Sequence, residues 1–109
     1  MGLPATAGAP EPLGETFLKA LIVSDVHSNL EAFQSVIEDC ERRGGFGQIW
    51  SLGDLIGYGP DPALCIDLLR SHDARSVAGN HDLASVGCLS LEAFNENAMA
   101  ANRWTSTQI

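Results

Sequence analysis

Apolar and polar positions follow two rhythms along this chain. Phe17 to Ser24 is an apolar run broken only by Lys19, the pattern of a strand buried on both faces. Leu30, Phe33, Val36, Ile37 and Cys40 then recur at helical spacing, which lines up one face of a helix. Ser28 and Glu31 stand three apart at its start as a capping box. Arg42 and Arg43 suit its negative end, and Gly44-Gly45 stops it. Ile49 to Leu52 predicts a second strand running into Gly53-Asp54. After a Gly/Pro loop, Asp61 caps and Pro62 opens a second helix carrying Ala63, Leu64, Leu68 and Leu69. Arg75 to Ala78 predicts a short third strand ending at Gly79-Asn80, and Leu91 to Trp104 a last helix. Strand and helix in strict alternation imply an α/β fold with a parallel sheet and right-handed crossovers.

Residues 1–16 are rich in Ala, Gly and Pro without periodicity, and are expected to form a disordered tail. The rest, 17–109, reads as one domain, which is all that 109 residues allow. With 6 Lys+Arg against 14 Asp+Glu the net charge is −8. That balance argues against nucleic acid or an anionic membrane as partner, since both need a basic face. If the chain handles phosphates, positive charge must come from elsewhere. No apolar run approaches the roughly 18 residues of a membrane span. Cys40, Cys65 and Cys88 lack any CxxC spacing; with Cys40 and Cys65 on apolar helix faces, they read as free thiols of a reducing, cytoplasmic compartment.

In parallel sheets ligands lie beyond the carboxyl ends of the strands. Those ends carry Asp25-Val26-His27, then Gly53-Asp54, then Gly79-Asn80-His81-Asp82. Carboxylates and imidazoles together ligate divalent first-row metals. Asp25 and Asp54 set close together would repel; one or two divalent cations remove that conflict and supply the missing positive charge. Taken singly, each element has a structural explanation: Asp-x-His as a loop coincidence, Gly-Asp as a turn, Asn80 as a helix cap, His81 as a surface histidine. Their placement at three consecutive strand ends favours a site.

These residues resemble the calcineurin-like metallophosphoesterases, whose motifs read D-x-H, G-D and G-N-H-[D/E]. The stretches Ser24 to Glu31 and Leu55 to Pro62 are similar to the small prokaryotic branch. The resemblance implies a layered β-sandwich flanked by helices, of which this chain supplies the N-terminal βαβαβ half. It implies two divalent metal ions (Mn, Fe, Zn or Co), with Asp25 and His27 on the first, Asp54 bridging and Asn80 on the second. It implies that His81 protonates or stabilises the leaving group while Asp82 orients His81 by a hydrogen bond. The activity implied is hydrolysis of a small phosphomonoester or phosphodiester by a dinuclear-metal-activated hydroxide. The family continues with further histidines, whereas only His27, His72 and His81 occur here. The alternative is therefore a truncated or non-catalytic member acting as a binding module with an incomplete metal site. The phosphoprotein-phosphatase branch would also place an Arg between Gly57 and Pro62, where none stands. Tyr58 reads equally as a substrate contact or a packed loop aromatic. Phe94, Met99 and Trp104 read as core, and Asn95 and Asn97 as solvated helix positions.

Overall fold

Three short parallel strands, Ala20–Val23 (β1), Gln48–Ser51 (β2) and Ala74–Ser76 (β3), lie side by side in chain order. The structure, a computed structural model, describes residues 19–109; the expected tail over 1–16 and the start of the first strand at Phe17 lie outside them. Leu30–Arg42 (α1) joins β1 to β2, and Pro62–Arg70 (α2) joins β2 to β3. Asn80–Ser85 (α3) and Glu96–Gln108 (α4) follow.

Register places Leu21 beside Ile49 and Ile49 beside Ala74. Alternation sends Leu21, Val23 and Ile49 to one face, where Phe33 and Ile37 of α1 and Cys65 and Leu69 of α2 close a core with Leu55 and Ile56. Both connecting helices cover this same face. The opposite face carries Ile22, Trp50, Leu52 and Val77, exposed by 55, 37, 57 and 61 %. The expectation of a first strand buried on both faces is thus corrected. The apolar run suits two covers, and the described residues provide one.

Local chemistry explains the remaining differences. α1 is capped by Asn29, whose Oδ1 accepts the Ala32 N–H at 3.1 Å, and not by Ser28. The Ser28 backbone is recruited elsewhere: its N–H donates to the Leu55 carbonyl at 2.9 Å and its carbonyl accepts from Asp61 at 3.1 Å. Asp61 occupies the cap position of α2 without a side-chain hydrogen bond there. The buried face of α2 is Pro62, Cys65 and Leu69, so Leu64 is half exposed. The last helix starts five residues later than the apolar spacing suggested, because Asn95 caps it by accepting the Ala98 N–H at 2.8 Å. Asn95 is therefore a cap and Trp104, 44 % exposed, is not core.

The thiols are unpaired. Cys65 has no exposed surface, and burial, reinforced by the charges of Asp61 and Glu31, pushes its thiol up to about 11. Cys40 is only half-buried and Cys88 is exposed. A disulfide-exchange reagent at neutral pH should accordingly label Cys88 first and Cys65 only in denaturant. Equal labelling of all three in the folded protein would contradict this packing.

Candidate metal centre

Beyond the strands, the loop after β1 and the loop after β2 continue to pair. Asp25 donates its N–H to the Gly53 carbonyl at 3.0 Å, and His27 to the Asp54 carbonyl at 3.0 Å. Returning bonds run from Gly59 to the His27 carbonyl at 3.0 Å and from Asp61 to that of Ser28. This ladder fixes an unusual backbone. Asp25, His27, Ser28, Asp54 and Tyr58 all have φ between 49° and 62°, a left-handed conformation that costs non-glycine residues roughly 1–3 kcal/mol each. Among the described residues every non-glycine positive φ lies in these two loops.

The strained loops bring side chains toward one another. One ligand atom each from Asp25, His27 and Asp54 lies within 4.8 Å of the others. His27 Nδ1 is 3.1 Å from the Ile56 carbonyl. A carbonyl only accepts, so Nδ1 carries the hydrogen and Nε2 keeps its lone pair, 3.5 Å from Asp25 Oδ1. A backbone carbonyl holding one imidazole nitrogen so that the other faces outward is the usual support of a metal-binding histidine. The Ser24 hydroxyl donates to Asp25 Oδ2 at 2.5 Å. That bond outweighs slight desolvation and holds the Asp25 carboxyl below the usual carboxylate range. Among the described residues no Lys or Arg pairs with Asp25, Asp54 or Asp82. Two carboxylates and a neutral imidazole without a cationic partner fit a divalent ion.

α3 is built onto this cluster. Asp54 Oδ1 accepts the His81 N–H at 3.0 Å, and the approach is so close that a Cβ on Gly79 would collide with the Asp54 carboxylate and backbone. Asn80, exposed, is the first residue of α3. A helix does start here, as the single-residue reading of Asn80 as a cap allowed, but Gly79 holds the cap position.

His81 is 8 % exposed. Its ring lies 4.9 Å from His27, 4.7 Å from Tyr58 and 4.9 Å from Phe94, centroid to centroid. Phe94 thus packs on His81 and does not serve as a core residue of the last helix. Gly57 leaves the room: a Cβ there would sit 3.0 Å from His81 Nδ1, a buried nitrogen without a hydrogen-bond partner. The expected bond from Asp82 to His81 is not formed. Instead Asp82 Oδ2 accepts from Asp54 at 2.8 Å and Gly79 at 2.9 Å, and Oδ1 from Ile56 at 3.1 Å, all backbone N–H groups. The sequence also concealed Asn102. Fully buried on α4, it donates to the His81 carbonyl and to Ser85 Oγ, both at 3.1 Å. A lone Asn within a helix carries no signal of such a contact.

The family model of calcineurin-like phosphoesterases matches residues 18–108. A metallophosphoesterase from Sphaerobacter thermophilus superposes with a TM-score of 0.68 at 46 % identity, over 86 % of this chain and 38 % of that one. An uncharacterized protein of Methanocaldococcus jannaschii is 43 % identical over 81 % of this chain and 36 % of its own length. A symmetrical bis(5'-nucleosyl)-tetraphosphatase of Psychromonas ingrahamii is 36 % identical over 57 % of this chain and 23 % of its own. The chain therefore spans little more than a third of the proteins it matches best among these.

Proposed function

Because the chain belongs to the calcineurin-like phosphoesterase family, we propose that its three strand ends form the N-terminal share of a two-metal site that hydrolyses a small phosphomonoester or phosphodiester. The observation that carries this is the convergence of Asp25, His27 and Asp54 within 4.8 Å, with His27 Nδ1 already occupied by the Ile56 carbonyl. Asp25 and His27 would hold one divalent ion, Asp54 would serve both, and Asn80 would add its amide oxygen to the second. Mn, Fe, Zn and Co all suit these donors. Such ions, when bound, lower the pKa of water and offset phosphate charge. The uncovered face of Ile22, Trp50, Leu52 and Val77 suits a sandwich completed by sequence corresponding to the rest of the relatives' length. Unpaired thiols suit a cytoplasmic setting; no described helix is long and apolar enough to cross a membrane.

His81 holds and donates a proton at Nε2, since Nδ1 is buried. Its carbonyl is gripped by Asn102 and Ser85, which limits movement of the residue that protonates the leaving oxygen. Asp82 has a different duty from the one its motif implied, bracing the loops around Asp54. The test is hydrolysis of p-nitrophenyl and bis-p-nitrophenyl phosphate with Mn²⁺. His81→Ala should keep its metal affinity while kcat falls about 10²–10⁴-fold. Loss of metal in that variant would make His81 a ligand and remove its assignment as the acid.

A further inference from the structure

Tyr58 is held in a conformation that packing alone does not require. It has φ 62°, uncommon for a bulky residue, and yet half of its surface stays in solvent. The loop fixes it on both sides. Gly57 adopts φ 92°, and Gly59 donates to the His27 and Gly57 carbonyls at 3.0 and 2.7 Å. The ring is thereby set 4.7 Å from His81 and 5.0 Å from His27. Its hydroxyl makes no hydrogen bond among the described residues. Strain that places an exposed aromatic over candidate reacting groups, on a rigid loop, marks a preformed contact surface. No Lys or Arg is paired with the carboxylates beside this ring. Such a surface offers a π face and apolar area, not a second anion site.

Given the phosphoesterase assignment above, on which this rests, the alcohol side of the ester leaves beside His81 and so against Tyr58. We infer that Tyr58 is a specificity residue that stacks a flat ring, nucleobase or aryl, carried by the phosphoester. Aromatic stacking is sequence-tolerant and worth about tenfold or more in affinity per ring.

Tyr58 is the chain's single tyrosine, so uniform 3-fluorotyrosine labelling gives a ¹⁹F reporter of it, assigned by its loss in Tyr58→Phe. The protein loaded with Zn²⁺ is titrated with phenylphosphonate against methylphosphonate, and with AMP against ribose 5-phosphate. Each pair differs by a ring. Ring-bearing ligands should bind about tenfold more tightly and move the resonance. Tyr58→Leu should erase that advantage while Zn²⁺ and methylphosphonate bind as before. A preference shown by AMP alone identifies a nucleobase; one shared by phenylphosphonate identifies any flat ring. A ring advantage that survives Tyr58→Leu, or ring-free ligands that bind and shift the signal equally, overturns the inference and leaves the phosphoesterase assignment standing. Calorimetry with Zn²⁺ alone reads the metal centre separately. Absence of Zn²⁺ binding there would overturn that assignment and the stacking role with it.

Discussion

Asp54→Asn should lower affinity for Mn²⁺ or Zn²⁺ by more than about 100-fold, because even an outer partner of a metal ligand contributes 10–100-fold and Asp54 is proposed to touch both ions directly. The substitution isolates charge from shape. Its amide oxygen still accepts the His81 N–H that Asp54 Oδ1 accepts now at 3.0 Å, so α3 should remain docked and the circular dichroism should match the parent. Hydrolysis should fall with metal content. Asp54→Ala would remove both contributions together and is the less informative variant. Calorimetric titration decides the matter, and an Asn variant that binds metal like the parent removes Asp54 from the ligand set.

Asp82→Ala should destabilise the fold by about 3–5 kcal/mol. Three backbone N–H groups, of Asp54, Ile56 and Gly79, converge on this one carboxylate. Hydrogen bonds to a charged group contribute roughly 1.5–3 kcal/mol each, and bonds sharing one acceptor do not add fully. A loss of that size is a large part of the roughly 5–15 kcal/mol that holds a typical domain together, and the Ala variant will be hard to isolate folded. Asp82→Asn keeps the protein tractable. Whichever way its amide lies, a donor faces one or two of the N–H groups, so its urea midpoint should also drop. Metal affinity should weaken with it, since Asp54 and the turn at Gly79 lose their common anchor. Had Asp82 served to orient His81, Asp82→Asn would slow turnover with the urea midpoint unmoved, and that result would reject the bracing role.

The pattern of alternating strands and helices was legible because it is written in local periodicity. Ile49, Phe33, Ile37, Cys65 and Leu69 sit in the core at positions where apolar spacing foretells them. The residues now grouped as Asp25, His27 and Asp54 were legible for another reason: a parallel sheet puts every strand's carboxyl end on one edge, so chain order alone predicts their convergence. Boundaries failed where another part of the chain competes for the same backbone group. Ser28 was a sound cap by local rules, but Leu55 and Asp61 claim its N–H and carbonyl, and Asn29 takes over.

Side-chain duty follows the same division. What this sequence by itself determined is the order of the three strands and the two helices that connect them, the Phe33 and Ile37 face that the first helix buries, and the metal-ligating residue types at the strand ends; these depend on neighbours within a few positions. The tertiary structure decided that Asp82 serves three backbone amides instead of His81, that Asn102 reaches 21 residues back to the His81 carbonyl, and that Tyr58 and Phe94 flank the same imidazole. Those contacts exist only once loops remote in sequence have closed on one another, because a hydrogen bond or a ring contact is chosen by distance in space, and spacing along the chain does not encode it.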